Sequence, residues 1–418
     1  MKLVVLTDRY IPEARAAAYL CRGLAEGLVS RGHEVLVLTR YPTKFVPGDG
    51  RTALPKEESI KGVKVVRVAS LFGGSWPVLR GLDQVAVSMR IAMRLLRATN
   101  PDAVLVSSPP LPLTIAAILA KKLRGTPYVI HLHDLYPQTA IDLGILKNRW
   151  LIGLMRWIES AAYRNSGRIV AAAPATLNIL RSHSFLAANR ASFVSNFVDL
   201  RHCDAAGPGT AFCDDRKTGK GFVILYAGLM GHAQDMSVIL ACARRAGTER
   251  PDWQFVLAGD GPRSEEVRLA ATGLVNVRFL GCLSNEEYFA ALQACDVALI
   301  TLHPALNVPA VPGKVPTIMA SGRPFIASVP EGNDTRQVAA RSGGGLVVNA
   351  GSPDELSRAL GILYEDPGLR TSMGEKGKAF ASEHYSLESA LLKFERELTL
   401  AASSNGRLPV EDATGAEL

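Results

Sequence analysis

One lysine of this 418-residue chain stands in a stretch without acidic residues. Lys314 follows Val311-Pro312-Gly313 and precedes a short helical pattern, and no Asp or Glu occurs between Asp296 and Glu331. Because a lysine and the free N–H groups at a helix start both attract negative charge, this pattern predicts a site for an anion such as a diphosphate. A solvated surface lysine without a function is the alternative interpretation.

A second group of reactive side chains lies in the segment YVIHLHDLYPQ at 128–138. On a strand, His131 and His133 point to the same face, and Asp134 follows at the strand end. A His–Asp pair can orient an imidazole for hydrogen bonding or proton transfer. Histidines satisfied inside a sheet are the alternative, and without a third good ligand we do not expect a metal site.

Small residues recur where other predicted strands end. The segment YAGLMGH contains Gly228, Gly231 and His232, and the next strand ends in Gly259-Asp260-Gly261. Glycines allow tight turns and bring backbone N–H groups close to a ligand, so their repetition favours a nucleotide or phosphate. The run of alanines that includes Ala16 and Ala17 has two interpretations. Their small side chains allow a ligand to approach the start of a helix, or the alanines simply favour helix formation. The G-x-G-x-x-G pattern of nicotinamide and flavin sites is absent near the first strand.

Alternating strands and helices position these residues. KLVVLT, an amphipathic helix and HEVLVLT open a first series, and a second series begins at FVILYAG after a Gly- and charge-rich stretch. This order predicts an α/β fold of two Rossmann-like, doubly wound parallel sheets, with ligands at the carboxyl ends of the strands in an interdomain cleft. The predicted divisions are an N-terminal domain over 1–203, a linker over 204–221, a C-terminal domain over 222–366, helices over 367–402 and a disordered tail over 403–418.

Charge is distributed unevenly along the chain. Residues 1–200 carry 26 Lys and Arg against 13 Asp and Glu, and the remaining residues carry 21 against 26. This asymmetry suggests that the first half faces an anionic surface or substrate, or it reflects solubilising charge alone. Arg90, Arg94 and Arg97 share one helical stripe, and Trp150 and Trp157 stand among leucines and arginines, which is typical of an interfacial helix. We expect no nucleic-acid partner, because no RNA-binding motif or basic–aromatic pattern is present.

Two further features concern the location of the protein. The six cysteines form no C-x-x-C pair, which indicates reduced thiols in a cytoplasmic protein. The N-terminal MKLVVLTD has the pattern of a buried strand and not of a signal peptide, and no apolar run is long enough to span a bilayer.

The order of several motifs resembles the GT-B glycosyltransferases of family 4, over roughly residues 1–400. They are GLVSRGHEVLVLT, HDLYP, YAG-x-x-G, LAGDGP, VRFLG, ACDVALI, PGK-x-x-x-x-MASGRP and GGGLVVNAGSPDELSRAL. SSPPLP at 107–112 and DLYPQ at 134–138 are similar to the bacterial transferases of O-antigen, capsule and colanic-acid assembly.

The resemblance implies a retaining transferase that moves a sugar from a nucleotide-diphosphate donor to an acceptor glycan on a polyprenyl diphosphate. The protein would lie against the inner face of the cytoplasmic membrane, with no cofactor and no metal. The implied residues are, for catalysis, His133 and Asp134; for the diphosphate, Gly228, Gly231, His232 and Lys314; for the nucleotide, Gly259, Asp260, Gly261, Cys282, Leu283 and Thr317; and on the acceptor side, Ala16, Ala17 and Gln138.

The sequence departs from the family pattern at three places. The two glutamates that many members carry eight residues apart are Pro309 and Thr317 here. His232 and Gln234 replace the usual Arg and Lys after the YAG strand, and Gln138 replaces the glutamate of the DLWPE segment. Lys314 is therefore the main expected cation near the diphosphate. A nucleotide-sugar epimerase and an inactive subunit that supports a partner transferase remain alternatives.

Overall fold

The computed structural model describes residues 1–13, 16–42, 54–71, 77–98, 100–182, 190–200, 203, 221–306 and 311–404. Most of the predicted linker, the predicted tail beyond Ser404 and Pro309 lie outside these ranges. Within the described residues, no helix is both long and apolar enough to cross a membrane.

The N-terminal domain is built on an eight-stranded sheet. Its strands are β1 (Lys2–Leu6), β2 (Glu34–Arg40), β3 (Glu57–Ile60), β4 (Val63–Val68), β5 (Ala103–Ser108), β6 (Tyr128–Leu132), β7 (Arg168–Ala171) and β8 (Ala191–Phe193). Their order is β3-β4-β2-β1-β5-β6-β7-β8, and every neighbouring pair is parallel except β3–β4. The helices are α1 (Ala16–Ser30), α2 (Pro77–Arg97), α3 (Leu113–Arg124), α4 (Gln138–Asp142), α5 (Arg149–Asn165) and α6 (Pro174–Ser182).

The C-terminal domain has six parallel strands in the order β11-β10-β9-β12-β13-β14. They are β9 (Phe222–Ala227), β10 (Trp253–Ala258), β11 (Val277–Leu280), β12 (Val297–Thr301), β13 (Phe325–Val329) and β14 (Gly345–Asn349). The helices are α7 (Met236–Glu249), α8 (Ser264–Ala270), α9 (Asn285–Ala294), α10 (Lys314–Ala320), α11 (Thr335–Ser342), α12 (Pro353–Glu365), α13 (Pro367–His384) and α14 (Leu387–Ser403).

Helices cover both faces of each sheet, as the continuous apolar strands require. In the N-terminal domain, α2, α3, α5 and α6 share one core with the sheet, whereas α1 packs on the opposite face. Two separate cores likewise lie on the two faces of the C-terminal sheet. This architecture confirms the predicted fold class of two doubly wound parallel sheets.

The last helix returns to the N-terminal domain. The backbone N–H of Val198 donates to Tyr385 O (2.8 Å), and α14 then packs Phe394 and Leu391 into the core beside α1. Glu397 pairs with Arg168, and Glu395 accepts from Arg31 Nε at 2.7 Å. The chain therefore crosses twice between the domains, which ties the two sheets together at one side.

Candidate active site

Two glycines meet where β9 and β10 end. Gly228 has φ +145° and Gly259 has φ +130°, a region that side chains rarely adopt. The N–H of Gly228 donates to Ala258 O at 2.9 Å, and a Cβ atom on Gly259 would lie only 1.9 Å from Gly228 O. Backbone therefore packs against backbone at this junction.

Lys314 reaches the same point from α10. Its Nζ lies 2.7 Å from the position that a Cβ on Gly228 would occupy, and 3.8 Å from the centre of the Tyr226 ring. The Tyr226 hydroxyl donates to Leu229 O at 2.6 Å, which fixes the ring beneath the ammonium. Lys314 forms no ion pair with a carboxylate within the described part of the chain.

Burial lowers the pKa of Lys314 to about 7. Removal from water disfavours the ammonium, and a tyrosine face compensates only part of that cost. An anion bound at this point would favour the charged form again. Since α10 has only seven residues, the side-chain cation contributes more to this site than a helix dipole can.

The loop after β9 satisfies its own polar groups. The N–H of Gly231 donates to Gln234 Oε1 at 3.1 Å, so Gln234 holds the loop. His232 is exposed. The pKa of Glu266 is lowered first by its hydrogen bond from Arg263 and also by His232, which places the imidazole toward α8.

The loop after β10 is fastened to the loop after β9. Asp260 Oδ1 accepts from the N–H of Gly261 (2.7 Å) and from Ser264 Oγ (2.6 Å), and Asp260 O accepts from the N–H of Met230 (3.0 Å). A Cβ on Gly261 would lie 2.3 Å from Met230 O. Asp260 thus shapes the loop, and Gly261 permits the close contact.

The remaining predicted nucleotide contacts lie on either side of these loops. The N–H of Gly259 donates to Leu280 O (3.2 Å) and Gly281 O (3.1 Å), which brings the turn containing Cys282 and Leu283 beside the β10 loop. Both of these side chains are partly buried. Thr317 follows Lys314 by one helical turn and lies on the same side of α10.

The histidines of the N-terminal domain are close together, but the expected His–Asp pair is not formed. The rings of His131 and His133 are 3.9 Å apart, and His133 Nε2 lies 3.0 Å from Ser107 Oγ. The Asp134 carboxylate instead accepts from Thr139 Oγ1 at 2.8 Å. Consecutive residues leave a strand in opposite directions, and each therefore finds a different partner.

Burial decides the charge of these groups. It lowers the pKa of His133 to about 4 and raises the pKa of Asp134. The imidazole of His133 is therefore neutral near pH 7, and it can donate or accept one hydrogen bond without carrying charge. His131 is deeper, and its Nε2 has no hydrogen-bond partner among the described residues.

The predicted acceptor-side residues occupy different surroundings. Ala17 is exposed in the first turn of α1, which begins at Ala16. Two residues later, the pKa of Tyr19 is raised by burial and then by the negative charge of Glu286 on α9, so α1 faces the C-terminal domain. Gln138 is exposed and donates to Asp142 Oδ1 at 2.7 Å.

Sequence reasoning missed an ionic cluster at the carboxyl ends of β1 and β2. Arg9 Nε lies 2.9 Å from Asp8 Oδ2, and Arg9 also pairs with the buried Glu13 at 2.6 Å. Arg40 lies 3.0 Å from Asp83 and 3.7 Å from Asp8. The charged residues at the ends of these two strands, Asp8, Arg9 and Arg40, are the signal in the sequence from which this cluster could have been predicted.

A cavity of about 310 Å³ was also missed. It opens beyond β12, β13 and β14, and its lining includes Pro304, Leu306, Glu331 and Asn349. No group of three His, Cys, Asp or Glu side chains with the geometry of a metal site occurs in the described ranges.

Comparisons with known proteins identify the family. Residues 16–196 match the model of the glycosyl transferase 4-like domain, and residues 221–366 match that of the glycosyl transferases group 1. The chain is a GT-B glycosyltransferase of family 4. Together the two matches include every predicted site residue of both sheets.

The relatives of this glycosyltransferase include two bacterial proteins that are themselves named as glycosyltransferases. The chain is 25% identical to the probable glycosyltransferase WbjE of Pseudomonas aeruginosa, over 75% of this chain and 79% of the relative. It is 24% identical to the putative colanic acid biosynthesis glycosyl transferase WcaI of Escherichia coli, over 77% and 82%. The similarity covers both domains and supports an enzyme of polysaccharide biosynthesis.

Solved structures show the same fold at low sequence identity. The Anabaena protein Alr3699/HepE, in a complex with UDP and glucose, superposes with a TM-score of 0.73 at 15% identity. The superposition covers 96% of this chain and 99% of that protein. The two-sheet arrangement of the glycosyltransferase is therefore shared over its whole described length.

Proposed function

We propose that this glycosyltransferase transfers a sugar, with retention of anomeric configuration, from a nucleotide-diphosphate donor to a lipid-linked acceptor in envelope polysaccharide synthesis. The observation that carries the proposal is the ammonium of Lys314 at the Gly228–Gly259 junction, without a carboxylate partner in the described residues. A buried cation of this kind is stabilised when an anion binds. The relatives named for polysaccharide synthesis and the HepE complex with UDP and glucose support the choice of ligand.

In this proposal, the donor diphosphate lies over Gly228 and Gly231 against Lys314. Transfer leaves a nucleoside diphosphate, and the leaving oxygen gains negative charge as the glycosidic bond breaks. Lys314 stabilises that charge, which is the task that a divalent cation performs in other transferases. No metal is needed for this step.

The base and ribose would contact the loops that end β10 and β11, near Gly259 to Gly261, Cys282, Leu283 and Thr317. The transferred sugar would lie toward His133. A neutral His133, oriented by Ser107, donates or accepts a hydrogen bond with a sugar hydroxyl without introducing charge. Asp134 holds the loop through Thr139.

The acceptor would enter from the N-terminal side, near Ala16, Ala17 and Gln138. An acceptor on a polyprenyl diphosphate is presented at a membrane, so we infer that the enzyme is a peripheral protein of the inner face of the cytoplasmic membrane. The relative WcaI is named for colanic acid biosynthesis, and this name supports an acceptor that belongs to polysaccharide assembly.

A donor screen tests the proposal. Nucleotide-diphosphate sugars and the corresponding nucleoside diphosphates are added to the wild-type protein and to Lys314→Ala, and thermal unfolding is recorded. A ligand at about 100 times its Kd adds about 2.7 kcal/mol to the free energy of unfolding. We expect at least one nucleotide sugar to stabilise the wild type and Lys314→Ala to lose most of that gain. Equal stabilisation of both proteins contradicts the role of Lys314, and a donor turned over to its 2-epimer without acceptor identifies an epimerase.

A further inference from the structure

Two tryptophans of α5 project into solvent. Trp150 is 90% exposed and Trp157 is 69% exposed, whereas Trp253 in the C-terminal core is 2% exposed. Leu154, also exposed, lies between them at i+4, so one face of α5 is apolar and turned to water. Large apolar side chains that share an exposed face mark an interaction surface.

Helix α2 packs on the same face of the sheet as α5, and it presents a second apolar stripe to solvent. Over three turns its exposed residues are Leu82, Val85, Met89 and Met93. The opposite side of the helix already fills the core with Val87, Ile91 and Leu95. The side chains of the outward stripe are 41 to 51% exposed.

Basic side chains border these stripes. Lys147, Arg149 and Arg156 are exposed on and before α5. In residues 143–165, Glu159 is the single acidic residue, and its carboxylate accepts from the Tyr163 hydroxyl at 3.0 Å. Burial raises the pKa of Glu159.

The end of α3 extends the basic border. Lys121 Nζ donates to Asn165 O at 2.8 Å, which holds the end of α3 against the end of α5. The next residues, Lys122 and Leu123, are exposed. Basic and apolar groups therefore alternate across neighbouring helices of one face.

The structure also corrects the stripe of three arginines predicted on α2. Arg90 donates to Ala69 O at 2.6 Å, and Arg94 lies 3.7 Å from Glu57. Both are partly buried, and Arg97 is the exposed member of the three. The apolar stripe, and not the arginine stripe, is the outward side of α2.

We propose that the face formed by α2, α3 and α5 docks onto an anionic phospholipid bilayer. Trp150, Leu154 and Trp157 enter the boundary between headgroups and acyl chains, and the basic border contacts lipid phosphates. Aromatic and apolar side chains flanked by Lys and Arg suit a bilayer interface, and positive charge without exposed acids on α5 selects anionic lipid. The proposal rests on the proposed function only in that a lipid-linked acceptor is presented at such a surface.

Vesicle flotation of the full-length protein tests this docking surface without donor or acceptor. Vesicles of phosphatidylcholine alone are compared with equal mixtures of phosphatidylcholine and phosphatidylglycerol, at about 0.1 M and about 1 M salt. We expect binding to the anionic vesicles only, and its loss at high salt, where the Debye length falls from about 10 to about 3 Å. Tryptophan fluorescence should shift to shorter wavelength on binding.

Surface variants locate the contact. Lys147→Glu with Arg149→Glu should lower the partition coefficient at least about 25-fold, since each basic residue near such a surface contributes about fivefold. Trp150→Ser with Trp157→Ser should lower it at least about tenfold and remove the fluorescence shift. The matched control is Leu269→Ser with Val275→Ser, which removes exposed apolar groups from the C-terminal domain and should change nothing. Unchanged melting temperatures exclude misfolding of these surface variants.

Three results would overturn the docking surface: no binding of the wild type to anionic vesicles, equal binding to neutral ones, or unchanged binding of the double tryptophan variant. A dimer that dissociates in the tryptophan variant would assign the face to a protein interface instead. Donor stabilisation of the wild-type protein is measured separately, so failure at the membrane does not affect the proposed transferase site.

Discussion

The carboxyl-end loops of the N-terminal sheet hold paired charges, whereas those of the C-terminal sheet hold glycines and Lys314. Arg9 and Arg40 are each balanced by carboxylates, among them Asp8, Glu13 and Asp83. Lys314 has an aromatic ring beneath it and no carboxylate partner in the described part of the chain. Both edges belong to parallel sheets, but within the described residues the positive charges of the first edge are paired with carboxylates and the ammonium of Lys314 at the second edge is not.

This difference distinguishes charged side chains that stabilise their own loops from a charged side chain that is available to a ligand. Carboxylates pair with both arginines of the N-terminal edge, so these side chains stabilise their loops before any ligand arrives. Burial removes water from the ammonium of Lys314 and lowers its pKa. In the proposed function, a neutral sugar hydroxyl of the acceptor lies at the first edge and the donor diphosphate lies at the second.

The largest expected effect comes from removing the cation. Lys314→Ala should reduce turnover at saturating donor about 10²–10³-fold, because groups that stabilise a developing anion contribute at this level. The melting temperature of the ligand-free protein should not fall, since burial disfavours the ammonium in the fold. Lys376→Ala, an exposed lysine of α13, is the matched control. Retention of more than half of wild-type turnover would show that Lys314 has no role in sugar transfer.

The glycine junction should be the next most sensitive point. Gly259→Ala places a Cβ atom against Gly228 O in a backbone region that alanine avoids, so we expect a loss of about 2–3 kcal/mol in the free energy of unfolding. Gly361→Ala, in an open position of α12, should instead stabilise by up to about 1 kcal/mol. Chemical denaturation of both variants measures the contrast. Equal effects would show that the junction is not sterically closed.

His133→Ala tests the N-terminal edge and should have a smaller effect. Loss of one neutral hydrogen bond to the transferred sugar corresponds to about 1 kcal/mol, so kcat should fall about fivefold to tenfold. Donor affinity, measured by calorimetry on the same preparation, should change less than kcat. An unaltered kcat would assign His133 to the structure of the sheet alone.

The pH dependence of donor binding gives the smallest expected change. Above pH 7 the lysine of the free protein loses its proton, and a bound diphosphate restores it, so donor binding takes up a proton. With a pKa of about 7, affinity should fall about fivefold between pH 7 and pH 8. Calorimetry in buffers of different ionisation enthalpy detects the proton uptake. Lys314→Arg should abolish this dependence, since arginine stays charged, and a persistent slope would assign the proton to another group.

The lowered pKa values of the histidines predict how the stability of the ligand-free protein depends on pH. The pKa of His133 in the fold lies below its ordinary value, so the unfolded chain binds more protons between about pH 6.5 and pH 4. Stability should therefore fall on acidification through that window, and His133→Asn should flatten the dependence. His131, whose pKa is also lowered by burial, contributes in the same direction.

Much of the fold could be predicted because its signals are local. Apolar runs such as FVILYA, followed by glycine and then a helical period, specify parallel strands without long-range information. Helix caps are local signals as well, since the side chains of Asp235 and Ser284 each accept a hydrogen bond from a backbone N–H in the first turn of the helix that follows. The edge strand β3 was missed because EESI is short, polar and antiparallel to its neighbour.

The partners of the site residues could not be predicted in the same way. Sequence adjacency suggested that His133 and Asp134 interact, but strand geometry directs one to Ser107 and the other to Thr139. Gln234 stands where the family pattern has a cation, and the structure shows that its Oε1 accepts a hydrogen bond from the N–H of Gly231 in the same loop. Such choices depend on side-chain direction, which a linear pattern does not contain.

The sequence by itself determined the order of strands and helices, the glycines at the strand ends and the absence of acidic residues around Lys314, because each depends on neighbours along the chain. Only the tertiary structure decided that Lys314 lies over Tyr226 at Gly228, residues that are 86 or more positions away in the chain. It also decided that Trp150 and Trp157 face solvent while Trp253 is buried. Solvation and contact are properties of packed surfaces, and packing brings together residues whose separation along the chain carries no such information.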